Sequence, residues 1–153
     1  MDVQALSDTI EIQNLLTRYV FAIDDKDLDR LDQVFTPDAT MDYTAAGGVK
    51  GNWSQIKPWL HAALGRYPKT QHLIGLPDIM IDGDRARSRV MLMNPMQCGP
   101  ELRDEVFLCG CVYSDTLIRT ADGWRITHRV EEGKNFWFKD VPPDMPPAPP
   151  LEG

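Results

Sequence analysis

Apolar residues recur at helical spacing through Ile12, Leu15, Leu16, Tyr19, Val20 and Ile23, which gives that segment one greasy face and one polar face. The spacing predicts a first helix, with Ser7 or Asp8 as N-cap and Glu11 placed to complete a capping box with Asp8. A shorter helix is expected from a cap at Asp27, with Leu28, Leu31, Val34 and Phe35 turned inward and Pro37 as its stop. Residues 39–44 alternate weakly as a strand and Gly47-Gly48 supplies a turn. Trp53, Ile56, Trp59, Leu60, Ala63 and Leu64 then mark a third helix ending at Gly65. Everything after it reads as sheet. Strands are expected over 70–81, 86–97, 102–119 and 124–136, with hairpin turns at Asp82-Gly83-Asp84 and Ala121-Asp122-Gly123, so their neighbours should be antiparallel.

Three helices ahead of a long antiparallel run bury their apolar faces best if a curved sheet wraps around them, an α+β arrangement that leaves a pocket inside. Residues 1–140 are read as one domain. Residues 141–153, about half of them proline, form a tail that cannot join a sheet interior and is expected to be extended, as a solvated end, a flap over the pocket or a strap on a neighbouring subunit.

Composition narrows the function classes. A chain of 153 residues with 42% apolar content can build a core without disulfides or metal. The formal charge of −7 offers no footprint for a phosphate backbone, which argues against nucleic acid and anionic membranes as partners. The acidic, amphipathic first residues lack the basic start and unbroken apolar stretch of a secretory signal, and no segment approaches membrane-span length, so a cytoplasmic protein is expected. Cys109 and Cys111 fall on one face of a strand, badly placed to bridge each other, and Cys98 adds no zinc-like spacing. Free buried thiols are the expectation, with no metal and no cofactor.

Chemistry is concentrated at Tyr19 and Asp24 in RYVFAIDD and at His72 in TQHLI. A base, a carboxylate to orient it and a phenol that donates a hydrogen bond suffice for elimination without a cofactor. Each residue also has an ordinary use: Asp24 as a cap, Tyr19 as core, His72 as a satisfied structural histidine. The negative end of the helix dipole and neighbouring Asp25 should raise the proton affinity of Asp24. Met80, Met91, Met93 and Met96 would suit a flat hydrophobic ligand as well as a core. Neighbouring strand residues face opposite sides, so only one of His128 and Arg129 should point inward, and Trp124, Ile126, His128 and Val130 form a credible inward row.

The strings IQNLLTRYVFAIDDKDLDRLDQVFTPDATMDY, KGNWSQIKPWL, TQHLIG and DGWRITHRV resemble the SnoaL-like branch of the NTF2-like superfamily. The likeness extends over about nine tenths of the chain. It implies a cone-shaped barrel with an interior pocket, a fold that hosts dehydratases, isomerases, cyclases, a dehydrochlorinase and proteins that only bind. In scytalone dehydratase, bile-acid 7α-dehydratase and hexachlorocyclohexane dehydrochlorinase, an aspartate ending the first helix pairs with a histidine on the sheet. Asp24 and His72 fall on those positions, Tyr19 matches the pocket tyrosine of the two dehydratases, and Arg129 matches an arginine of the dehydrochlorinase, which favours Arg129 over His128 as the inward residue. Where the bile-acid enzyme has a further aspartate this chain has Asn94 and Pro95, so a second acid is missing. The steroid-isomerase pattern places Tyr43 where an aspartate is required.

The resemblance therefore implies a cofactor-free lyase acting on a hydrophobic cyclic hydroxy-ketone such as a steroid, polyketide or aromatic precursor. His72 would be the base, oriented by Asp24, with Tyr19 assisting departure of hydroxide and Tyr43, Asn94 and Arg129 shaping the pocket. A small-molecule binder or assembly subunit, and an isomerase or cyclase, are the alternatives. Relatives' habits imply a homodimer or homotrimer.

Overall fold

The computed structural model describes residues 3–99 and 106–133. Helix α1, Val3–Asp24, begins ahead of the expected cap, because Asp8 is buried inside it and bonded to Arg119 and Trp124 rather than to a helix amide. Its end is sharply defined. Asp27 N–H donates to Ala22 C=O and Lys26 N–H to Ile23 C=O, the two reversed bonds of a Schellman cap, with Lys26 at φ 60° in the left-handed position glycine usually takes.

The expected second helix is a 3-10 stretch, Leu28–Gln33, and Pro37 does not stop it but lies inside strand β1, Phe35–Asp42. The proline is tolerated because β1 is irregular between Phe35 and Thr40, where Pro37 and Asp38 are exposed and off the ladder. After a 3-10 turn at Thr44–Ala46 and strand β2, Lys50–Asn52, helix α2 runs over Trp53–Leu64 from a capping box formed by Asn52 and Gln55.

Six more strands follow: β3 Lys69–Thr70, β4 Leu73–Ile74, β5 Asp78–Asp82, β6 Arg85–Gln97, β7 Val106–Thr120 and β8 Gly123–Glu132. The sheet order is β2-β1-β8-β7-β6-β3, with β4 and β5 also paired to β6. The long strand expected over 70–81 is thus three short pieces laid successively along β6, and the break after β3 turns His72 aside. Both hairpins are antiparallel, as their turns predicted, but β1 runs parallel to β8, so the sheet is mixed. Residues 102–105, 134–136 and the tail over 141–153 lie outside the described residues, as does the boundary at 140.

Helices α1 and α2 pack into the concave face through Ile12, Leu15, Leu16 and Ile56 against Phe35, Leu117, Trp124 and Ile126. The inward row of β8 is both of those that the sequence allowed. Leu117 pairs with Ile126 but Thr116 with His128, so Thr127 is an extra residue. This bulge switches the inward face from Trp124 and Ile126 to Arg129, and leaves His128 facing Thr40, whose hydroxyl lies 2.7 Å from its Nδ1. Met80, Met91 and Met93 are exposed and lie away from the interior cavity, which only Met96 of the four lines. Among the described residues no helix is long and apolar enough to cross a membrane.

Candidate active site

Asp24 occupies the last turn of α1, and the Schellman cap aims the following chain back toward β3. Its carboxylate is fully engaged. Oδ1 lies 2.6 Å from His72 Nδ1 and accepts from Thr70 Oγ1 at 2.8 Å, while Oδ2 accepts the His72 backbone N–H at 2.7 Å. Lys26 Nζ donates to the same Thr70 hydroxyl at 2.9 Å, closing a short chain from ammonium to carboxylate. Burial alone would raise the Asp24 carboxyl, but the bonds from His72 and Thr70 outweigh it and hold the group below the ordinary carboxylate value. The upward shift expected from the helix dipole and Asp25 is therefore reversed, because donors in contact act more strongly than a terminal partial charge.

The other ring nitrogen of His72 meets Asn94 on β6, with Nε2 3.2 Å from Asn94 Nδ2. Asn94 Oδ1 accepts the Gln71 N–H at 3.2 Å, which fixes the amide so that its NH2 points at the ring. This assigns His72 as a neutral ring with its proton on Nδ1, toward Asp24, and a lone pair on Nε2.

His72 and Asn94 both line a cavity of about 160 Å³ between the helices and the sheet. Tyr19, Tyr43, Arg66, Tyr67, His72, Asn94, Tyr113 and Glu131 supply its polar groups, and Ile23, Trp59, Leu60, Leu64, Leu92 and Met96 its apolar walls. The Tyr19 ring stands edge-on to His72 with centroids 6.4 Å apart, and its hydroxyl is 3.5 Å from that of Tyr113. Burial raises all three phenols, so they remain neutral donors. Tyr43 stacks on Trp59, and its buried hydroxyl has no hydrogen-bond partner among the described residues. Gly48 completes this corner: a Cβ there would fall 2.7 Å from the Cβ of Tyr43 and 3.1 Å from the Trp59 ring, closer than real side chains approach.

Arg129 faces inward but is not on the cavity wall. Nε and Nη2 bond both oxygens of Asp115 at 2.7 and 2.8 Å, and the guanidinium lies 4.0 Å from the Tyr19 ring centre and 4.2 Å from that of Tyr113. It backs the two tyrosines, and Asp115 takes the bidentate face that a substrate would need. Of the residues singled out from sequence, Asp24, His72, Tyr19, Tyr43 and Asn94 thus gather at one place, and Arg129 stands behind it.

Thr70, Tyr113 and Glu131 belong to the same site and carried no motif. Glu131 had a signal: it follows Arg129 by two on a strand, so placing Arg129 inward places Glu131 inward as well. Its Oε1 accepts from the Cys111 thiol at 3.0 Å. Cys98, Cys109 and Cys111 form no disulfide and are buried, and burial pushes the Cys109 thiol up to about 12.

Proteins of Mycobacterium tuberculosis and Mycobacterium bovis without an assigned function are 47% identical over 131 residues, covering 86% of this chain and 88% of theirs. A crystal structure of a Kribbella flavida protein matches with TM-score 0.79 at 26% identity, over 87% of this chain and 95% of that one. Hexachlorocyclohexane dehydrochlorinase LinA-type3 from Novosphingobium barchaimii matches with TM-score 0.76 at 16% identity, over 96% of this chain and 100% of that one. A structure from Novosphingobium aromaticivorans named for scytalone dehydratase matches with TM-score 0.80 at 17% identity, over 92% and 93%. At such identities the last two likenesses show the fold alone. The SnoaL-like domain profile matches residues 4–130, and with the NTF2-like architecture around it this chain belongs to the SnoaL-like domain family.

Proposed function

We propose that the protein is a cofactor-free lyase that removes water from a small cyclic hydroxy-ketone. The observation that carries this is the orientation of His72, whose Nδ1 is held by Asp24 at 2.6 Å while Nε2 is turned to Asn94, with both His72 and Asn94 lining the cavity. A carboxylate that fixes the tautomer and stabilises the imidazolium makes the opposite nitrogen a competent base. The lone pair is occupied by Asn94 until a ligand arrives. A substrate C–H takes that place, and the freed amide N–H can turn to the substrate carbonyl, where negative charge develops as the proton leaves. The Tyr19 hydroxyl, beside the ring and neutral, is a second donor for that charge.

Size narrows the substrate class. A void of about 150 Å³ accepts a benzene-sized guest, so a cavity of about 160 Å³ suits one ring or a small fused pair better than a steroid. The enzymes named among the structural neighbours, a dehydrochlorinase and a scytalone dehydratase, are eliminating enzymes by name, which accords with this reading.

The test is a panel of single-ring β-hydroxy ketones, followed by appearance of the conjugated enone and loss of the mass of water. Asp24→Asn and His72→Ala should each lower turnover by about 10³-fold, the range of general acid–base catalysis. Binding without conversion by the unmodified protein would instead favour a small-molecule carrier, and conversion without loss of mass an isomerase or cyclase.

A further inference from the structure

Among the described residues lining the cavity, Glu131 is the one carboxyl. The bulge at Thr127 puts it there, opposite Tyr113 on β7. Oε1 holds the Cys111 thiol, and the residue is half-buried. Arg129 gives Nε and Nη2 to Asp115 and keeps only Nη1 unpartnered, and Arg66 after α2 is the cation on the cavity wall itself. The other titratable groups facing Glu131 are His72 and, more numerous, phenols and thiols: Tyr19 from α1, Tyr43 after β1, Tyr67 after α2, and Cys109, Cys111 and Tyr113 on β7. An ionised carboxylate that is half-buried and faces mostly phenols and thiols is poorly compensated, and such surroundings favour its protonated form. Burial raises the Glu131 carboxyl accordingly, and the Cys111 bond and the Arg129 charge offset this only in part.

We propose that Glu131 stands in the resting protein as a neutral carboxylic acid and is a catalytic residue, the donor that protonates the departing hydroxyl. This rests on the assignment of His72 as base and supplies the acid that the sequence lacked next to Asn94. The two residues occupy different walls. His72 adjoins β6 beside Asn94, whereas Glu131 lies two strands further on and level with Val90, four residues along β6, and both side chains line the cavity between them. In the step, His72 Nε2 takes the proton from the carbon beside the carbonyl. That C–H pair becomes the new C=C bond as the C–O bond breaks, and the Glu131 proton joins the leaving hydroxyl, which departs as water. The protein is left with an imidazolium and a carboxylate, and one proton passing from the first to the second restores both. The Tyr43 hydroxyl, buried on the same wall without a partner, is placed to steady the leaving oxygen.

Infrared difference spectroscopy of the full chain at neutral pH tests the proton directly. The unmodified protein should show a protonated-carboxyl stretch that shifts in D2O and is missing from Glu131→Gln, whereas identical spectra in that region would overturn the proposal. The chemical arm uses a β-hydroxycyclohexanone deuterated at the carbon between carbonyl and hydroxyl. Glu131→Gln should lose about hundredfold in kcat for enone formation, with KM within about threefold, while still washing deuterium out to solvent. His72→Ala should lose both. Enone formation at the normal rate in Glu131→Gln sinks the acid and spares the dyad, and deuterium loss persisting in His72→Ala sinks the dyad and leaves Glu131 to the infrared band. Glu131→Asp, which keeps the acid one methylene further back, should retain a carboxyl stretch and recover part of the turnover, and its failure to do so counts against proton donation.

Discussion

Helix α1 is fastened to the sheet by a carboxylate at each end, and the two fastenings do different work. Asp8 bonds Arg119 through both oxygens at 2.6 and 2.7 Å, accepts from the Trp124 indole at 3.2 Å and from Gln4 at 3.0 Å. Asp24 bonds His72 through ring and backbone and accepts from Thr70. Both acids are held below their ordinary value, Asp8 to about 2, chiefly by Arg119. The contrast lies in the partners. Arg119 gives its remaining nitrogen to Asp84 and lays its charge over the Trp124 ring, whereas His72 lines the cavity and turns its second nitrogen to the neutral amide of Asn94. An acid pair becomes chemical equipment when the partner has a reactive atom left over and a space in front of it.

Exchanging the two acids for amides separates the roles. Asp24→Asn should cut elimination by about 10³-fold and move unfolding free energy by less than about 1 kcal/mol. Asp8→Asn should do the opposite, costing about 2 kcal/mol of stability through weakened charge-assisted bonds with turnover unchanged. Denaturant unfolding and single-ring ketone turnover, measured on both variants, check the pair. Equal losses of activity would erase the distinction.

Acid titration sharpens the same contrast. A carboxyl whose folded value is depressed contributes stability that is complete above its unfolded value and fades as pH falls through the folded one. For Asp8 that window runs from 3.8 down to about 2. The slope of stability against pH should therefore flatten between those limits in Asp8→Asn, as followed by thermal unfolding across the window.

Much of this arrangement was legible because it is carried by short-range patterns. The face of α1 from Ile12 to Ile23 and the two hairpin glycines, Gly83 and Gly123 at φ 59° and 95°, are local statements about dihedrals and periodicity. Asp24, His72 and Tyr19 came from position in the fold rather than from spacing. What escaped depends on distant partners. The Asp8 cap failed because Arg119 and Trp124, more than a hundred residues away, claim the side chain. The inward row of β8 changes parity at Thr127, and no alternation of apolar residues records a bulge. Pro37 looked like a stop because its tolerance depends on an irregularity against β8 that only the folded sheet has.

A smaller effect should follow from Thr70, which links Lys26 to Asp24. Thr70→Val keeps the shape and removes both hydroxyl bonds. One hydrogen bond to a charged group is worth about 1.5 kcal/mol, so kcat should fall by about tenfold with KM little changed, provided the hydroxyl matters for aiming the carboxylate. Unchanged kcat would confine the dyad to Asp24 and His72 alone.

The least effect, and the most discriminating, is expected at Lys26. Its left-handed backbone costs a residue with a side chain about 1 kcal/mol, and its ammonium reaches Thr70 at 2.9 Å. Glycine relieves the backbone but loses the contact and gains unfolded-state freedom worth about 0.5–1 kcal/mol, so Lys26→Gly should leave stability nearly unchanged. Lys26→Ala keeps the strained turn and loses the contact without gaining that freedom, and should be less stable than the glycine variant by up to about 0.5 kcal/mol. Both variants lack the ammonium, so both should lower turnover by the same few-fold factor. If turnover instead tracks stability, with alanine worse than glycine, then the helix cap rather than the Lys26–Thr70 contact sets the position of Asp24. The catalytic end of α1 would then be held by backbone geometry, and the Asp8 end by side-chain charge.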